Sequence, residues 1–289
     1  MVLTILLTAL ALLATAFVLV LGRAALKRGT GMPRPESVIL GAVTNFFDTL
    51  GIGSFAPTTA WLRFRRLTPD SHIPATLNVG HALPTIVQSA VFLVLLGVHV
   101  DPMLLVSCIA AAVAGALVGA PLMVRAPVRV VQGVVGVALL IAAALYAMSN
   151  LDLMPIGGTA TALKPHLLWI AVAGHFVMGM LMAFGIGLYA PALILLSLLG
   201  LDPRLAFPIM ASACAFLMPT TGFRYINAER IDLRIVIGIT LGGIPAVLVA
   251  AFLVKEIPIE PLRWAVVVVV LYAAALLLRA ASKGDLAKA

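Results

Sequence analysis

A short glycine string closed by a proline occurs twice in this chain, and both times it breaks a long apolar run. Asp48 to Pro57 reads D-T-L-G-I-G-S-F-A-P and Met182 to Pro191 reads M-A-F-G-I-G-L-Y-A-P, at a constant offset of 134 residues. At that offset Gly51/Gly185, Ile52/Ile186, Gly53/Gly187, Ala56/Ala190, Pro57/Pro191, Leu62/Leu196, Leu67/Leu201, Pro69/Pro203 and Pro74/Pro208 coincide. Nine identities in 24 positions stand against roughly two expected by chance in apolar sequence, so the chain contains an internal duplication. Pro127-Val128-Arg129 matches Pro261-Leu262-Arg263 at the same spacing, which extends the repeat over several helices. Paired interruptions of apolar segments in corresponding positions point to the binding site of a transporter.

Apolar runs of about twenty residues recur along the chain, each long enough to cross a hydrocarbon core of about 30 Å. With 63% hydrophobic and 10% charged residues, the composition excludes an ordinary soluble domain. The runs are continuous and do not alternate, so the spanning elements are helices and not barrel strands. The net charge of +8 does not indicate nucleic acid, because the basic residues sit in short loops between membrane segments. Cys108 and Cys214 lie inside apolar runs without a CxxC partner and read as buried, inert thiols. Val2 to Leu21 has a cleavage-like Ala14-Thr15-Ala16, yet its basic residues Arg23, Lys27 and Arg28 follow the apolar run. That order suits a membrane helix with an outside N-terminus better than a signal peptide.

Glu36 to Arg66 is the structural crux. As one straight helix it exceeds about 40 Å and carries two central glycines at about 1 kcal/mol each. As a re-entrant hairpin, Glu36 to Thr49 enters, the glycines turn, and Phe55 to Phe64 returns. The other expected segments are Pro69 to Gly97, Pro102 to Val124, Pro127 to Met148, a second hairpin at Pro165 to Leu199, Pro203 to Phe223, Leu233 to Val254 and Pro261 to Leu278. Thr68-Pro69, Asp101-Pro102 and Asp202-Pro203 each place an N-cap acceptor before a first-turn proline.

Loop charge discriminates between the two topologies. If both glycine segments span, Lys and Arg divide 11 inside to 8 outside; as hairpins they divide 15 to 4, with only Lys164, Arg204, Lys255 and Arg263 outside. The positive-inside bias favours hairpins. A hairpin plus three spanning helices is an odd number of crossings, so the second copy is inverted relative to the first. The expected fold is an all-α integral membrane protein with an internal inverted repeat. Residues 1–35 form an extra N-terminal helix and basic connection, 36–150 the first repeat and 151–289 the second.

No catalytic or metal constellation is present. His72, His81, His99, His166 and His175 form no i, i+4 pair, and no H-E-x-x-H, G-x-S-x-G or Walker lysine occurs. The chain therefore reads as a non-enzyme without a cofactor. Polar groups within apolar runs remain as candidates. For substrate these are Gly51, Gly53, Ser54, Pro57, Thr58, Thr59, Asn78, His81, Gly185, Gly187, Tyr189, Pro191 and Ser212. Asp48 is a functional candidate because an ionisable group at depth is costly; with His175 it is assigned to a coupling proton or sodium ion. Single hydroxyls and amides also have a packing role, as interhelical hydrogen bonds worth under about 1 kcal/mol. Gly115 and Gly119 form a GxxxG that reads as close helix packing. No basic side chain lies at the depth of the turns, so the helix N-termini that follow them are the expected holders of an anion.

The two G-I-G-x-x-x-P elements, each followed by a helix with a small polar residue (Ala75-Thr76-Leu77-Asn78 and Met210-Ala211-Ser212), resemble the sulfite exporter TauE/SafE family of permeases over about Glu36 to Leu278. The resemblance implies a multi-pass protein of the bacterial inner membrane. It further implies a secondary transporter that moves a sulfur-containing anion such as sulfite, sulfoacetate or another organosulfonate. Phe55 and Tyr189 depart from the longer glycine run usual in the family and reshape the space beside the turns. An anion channel and a non-transporting membrane scaffold are the alternative readings.

Overall fold

The computed structural model describes residues 2–30, 32–95, 99–153, 158–253 and 260–283; Gly97, Val254, Lys255 and Lys288 lie outside them. The helices are α1 (Val2–Lys27), α2 (Pro35–Thr49), α3 (Phe55–Phe64), α4 (Ile73–Gly80), α5 (Ala82–Leu95), α6 (Pro102–Arg125), α7 (Val128–Asn150), α8 (Pro165–Met182), α9 (Tyr189–Leu198), α10 (Pro203–Asn227), α11 (Leu233–Leu253) and α12 (Glu260–Lys283). Among the described residues seven helical segments are long and apolar enough to cross a membrane: α1, the run from Asp70 to Leu95, α6, α7, α8, α10 and α11. Length and composition therefore include α8, which the sequence reads as a hairpin limb.

Most helix starts follow the sequence signals. Asp101 Oδ1 accepts from Leu104 N at 2.8 Å and Asp202 Oδ1 from Arg204 N at 2.9 Å, each with a proline opening the helix. Thr68 is the exception. A short 3-10 turn, Asp70–His72, intervenes before α4, and the Thr68 hydroxyl has no hydrogen-bond partner among the described residues. The expected single helix from Pro69 is broken again at His81, between α4 and α5.

Both glycine segments fold back on themselves. In the first, Glu36 at the start of α2 accepts from Trp61 Nε1 at 3.0 Å and from Arg65 Nε at 2.8 Å, so the two ends of the α2–α3 unit meet. In the second, Asp202 N donates to Ala160 O at 2.9 Å and Ala160 N to Gly200 O at 3.2 Å, which joins the chain before α8 to the chain after α9. Halfway down, a Cβ on Gly174 of α8 would run into Leu195 of α9. The mouths lie at opposite ends of α10. The second mouth adjoins Asp202 at its start, while the first shares a face with its C-terminal end, where Arg28 bonds to Ile226 O and pairs with Glu229 at 3.4 Å. Arg34 links that face to both hairpin and bundle, reaching Asp232 at 3.7 Å and Leu67 O at 3.5 Å.

The helices pack by exchange between the two halves. α2 lies against α11, where side chains on Gly41 and Gly242 would collide with the backbones of Ile239 and Val38. α8 lies against α6, where side chains on Gly115, Gly119 and Gly179 would collide with Phe176, Met180 and Ala112. The GxxxG at Gly115 and Gly119 thus serves close packing, which in lipid replaces the hydrophobic drive. α1 joins the bundle through Phe17, which is fully buried against Gly222 and lies 5.6 Å from the Phe223 ring. α7 and α12 form a separate pair with their own small core (Val131, Val135, Leu139, Val267, Ala274, Leu277), seated on Ile52 and Ala60 of the first hairpin.

Candidate functional site

Each turn is built by glycine where no other residue fits well. Gly51, Gly53 and Gly185 have φ of +92°, +88° and +88°, a region closed to most L-residues by clash with Cβ. Gly187, the counterpart of Gly53, does not share this conformation, so the two turns are similar without being identical. After each turn a new helix begins. Its first internal bonds are Thr58 N to Ser54 O at 3.1 Å and Ala192 N to Leu188 O at 3.0 Å. The amides of Phe55 and Ala56, and of Tyr189 and Ala190, precede those bonds and have no intrahelical acceptor. Pro57 and Pro191 occupy the third helical position, where the absent N–H costs nothing.

These two helix starts face one cavity of about 60 Å³. Gly53, Ser54, Phe55 and Ala56 line it from the first turn, and Gly187, Leu188, Tyr189, Ala190 and Pro191 from the second. The turns touch, since a Cβ on Gly187 would sit 3.6 Å from Phe55 Cβ. Asp48, Thr85 and Cys214 add polar atoms, and Ala138, Ile141, Ala142 and Leu145 of α7 form an apolar wall. Among the lining residues there is no Lys, Arg or His. Asp48, Ser54 and Tyr189 are only 3%, 5% and 8% exposed. The Tyr189 hydroxyl has no hydrogen-bond partner among the described residues. The Ser54 hydroxyl and amide and the Gln88 side chain lie within bonding reach of the Asp48 carboxylate, with Tyr189 and Cys214 in its electrostatic field.

Of the sequence candidates, Asp48, Gly53, Ser54, Gly187, Tyr189 and Pro191 line the cavity; Gly51, Pro57, Thr58, Thr59, Asn78, His81, His175, Gly185 and Ser212 do not. Gly51 and Gly185 form the turns behind it. His81 is held between the limbs of the first hairpin, Nδ1 to Asn45 Oδ1 at 3.0 Å and Nε2 to Thr58 Oγ1 at 3.1 Å. Asn78 donates to the last carbonyls of α8 through Met182 O at 3.0 Å, while Gln88 donates to the equivalent Asp48 O at 3.4 Å. Both amides therefore satisfy a half-helix C-terminus that ends inside the protein. Ser212 bonds to Ser89 at 3.0 Å. His175 lies two helical turns, or about 10 Å of helix, before the end of α8 at Met182 and bonds to Ala171 O at 2.8 Å. The cavity does not bring it to Asp48.

Thr85 and Gln88 stand out in the sequence as polar groups on the helix after the first turn but are not among its site candidates, and the α7 wall is passed over. Thr85 and Gln88 carried a polar signal; the wall had none, because an apolar lining side chain reads like a lipid-facing one.

The TauE family model, described as Sulfite exporter TauE/SafE, matches residues 167–288. The match is to the family that the paired glycine elements resemble, and it falls within the second copy of the duplicated unit. Searches of curated proteins and of solved structures returned no match.

Proposed function

We propose, from the sulfite exporter TauE/SafE match over its second half, that this chain is a multi-pass membrane permease that carries a small sulfur oxyanion by alternating access. The bacterial inner membrane is the proposed location, with the arginine-rich face that holds Arg28, Arg34 and Arg65 toward the cytoplasm. Residues 36–150 and 151–289 act as two inverted repeats, each a re-entrant hairpin plus three spanning helices.

The observation that carries this reading is the convergence of two helix N-termini on one cavity that no basic side chain lines. Each helix end stabilises a nearby anion by about 0.3–1 kcal/mol when exposed and up to roughly 2 when partly buried. The donors are the amides of Phe55, Ala56, Tyr189 and Ala190, with the Ser54 and Thr85 hydroxyls and the orphaned Tyr189 hydroxyl beside them. Size narrows the choice of substrate. At roughly 10–15 Å³ for each enclosed water, the cavity admits about four to six water-sized atoms. Sulfite fills it, whereas sulfoacetate needs it to widen. Equilibrium binding of sulfite, sulfate, sulfoacetate and acetate to the purified protein, followed by flux in proteoliposomes, tests the proposal. Saturable sulfite flux is expected; flux without saturation would indicate a channel, and absence of both binding and flux would leave a scaffold.

A further inference from the structure

A cavity that receives an anion has an acid in its wall. Asp48 is the last residue but one of α2, is 3% exposed and lines the same 60 Å³ as the helix starts of α3 and α9. We propose that Asp48 is a proton-binding site, and that each anion taken up by the cavity is accompanied by one proton on its carboxyl group. This inference rests on the anion reading above and extends it to the coupling ion.

The argument is one of spacing and the absence of a counter-charge. Asp48 lines a cavity of only about 60 Å³, so an anion inside it is a near neighbour of the carboxyl, at a separation on the order of 5 Å. At an effective dielectric of about 20, two unit negative charges at about 5 Å weaken binding by about two orders of magnitude. No basic side chain lines the cavity to cancel this repulsion, and the two helix starts attract the anion whether or not Asp48 carries a proton. The titratable groups around Asp48 are Tyr189 from α9 and Cys214 from α10, whose ordinary pKa values of about 10 and 8.5 leave them neutral near pH 7, and His81, which bonds to Asn45 one helix turn from Asp48 and to Thr58 and does not line the cavity. α5 presents Thr85 and Gln88, α3 presents Ser54, and the α7 wall is apolar. α11, packed along α2, contributes no lining residue.

The Ser54 amide and hydroxyl and the Gln88 side chain lie within reach of the Asp48 carboxyl. Adding a proton to a carboxyl oxygen cancels the repulsion and creates an O–H donor. It also releases the Ser54 donors toward the incoming anion. The ledger is one proton and one anion gained, with no bond otherwise made or broken. A monovalent anion then crosses without net charge.

The test is calorimetric titration of the purified wild type with methanesulfonate, whose charge is constant between pH 5 and 8, and with sulfite. Each titration is run in two buffers of different ionisation enthalpy to count protons. Wild type should take up close to one proton per methanesulfonate bound, with affinity falling about tenfold per pH unit once the Asp48 carboxyl of the empty protein is ionised. Asp48→Asn should bind at least as tightly as wild type at pH 5 and lose the pH dependence. For sulfite, which titrates itself, the difference in proton count between the two proteins is read. Asp48→Ser replaces the Asn variant should that one not fold, and the wild-type proton count stands without either. Anion binding with no proton uptake, or a proton count unchanged in Asp48→Asn, overturns the coupling and leaves the anion site intact. Failure of both ions to bind at any pH overturns the anion reading, and the coupling falls with it.

Discussion

Gly187 offers a clean perturbation of the cavity, because its backbone tolerates a side chain. Its φ lies outside the left-handed region that Gly51, Gly53 and Gly185 occupy, and a Cβ there meets only Phe55 Cβ, at an ordinary 3.6 Å. The remaining space around that Cβ is open, and Gly187 lines the cavity. A methyl group occupies about the place of one water, so alanine should leave room for about three to five water-sized atoms and valine for about one to three. A four-atom oxyanion still fits beside alanine and does not fit beside valine. Gly187→Ala should therefore weaken sulfite binding by a few fold, and Gly187→Val by at least tenfold, with thermal melting of both close to wild type. Gly53→Val should behave differently. At φ +88° the new residue adds about 1–3 kcal/mol of backbone strain, so its loss of binding should come with a lower melting temperature. Calorimetric titration paired with a melting curve reads both effects. A Gly187→Val protein that melts and binds sulfite as wild type does would refute the siting of the anion between the two turns.

Single cysteines at Arg28, Arg65 and Arg125, in a background lacking Cys108 and Cys214, should react with an impermeant thiol reagent only after cells are opened; labelling of Arg65→Cys in intact cells would break the hairpin topology. His81→Ala strands the buried partners Asn45 Oδ1 and Thr58 Oγ1, at about 1–3 kcal/mol each, and should lower the melting temperature markedly; an unchanged melt would remove the clamp between the limbs. Asn78→Ala should cost about 1–2 kcal/mol by exposing the end of α8, read in the same assay, and a neutral result would show that the Met182 carbonyl has another donor. At the hairpin mouth the Arg65 hydrogen bond, aided by Trp61 and by the charges of Arg65 and Arg34, holds the Glu36 carboxyl below its ordinary 4.5 against slight desolvation. A depressed carboxylate pKa stabilises the fold above 4.5, and that contribution fades as pH falls through the lower folded value. Being a surface pair it should amount to under about 1 kcal/mol, so the melting temperatures of wild type and Glu36→Gln should converge as pH falls below the ordinary 4.5 and through the lower folded value; curves that stay parallel would deny the pairing.

The sequence by itself determined the membrane class, because long continuous apolar runs admit no other backbone solution than helices. It also determined the two turns, since Gly51, Gly53 and Gly185 stand where the chain needs positive φ, and the proline after each turn marks a helix start. The loop charges favoured hairpins over spanning segments, and in the structure Glu36 meets Arg65 and Ala160 meets Gly200. Which polar side chains reach the cavity was decided only in three dimensions. Asn78, Thr58 and His81 look like binding groups along the chain, yet the Asn78 amide nitrogen is taken by Met182 O, and Thr58 and His81 are taken by one another and by Asn45. The physical reason is that a helix broken inside a membrane leaves carbonyls and amides that must find partners at once. The Asn78 and Gln88 amides are drawn into that task, the His81 imidazole bridges the limbs of the first hairpin, and what remains for a ligand depends on distances between segments more than a hundred residues apart. The α7 wall was equally invisible, since lipid and cavity make the same demand of Ala138, Ile141, Ala142 and Leu145.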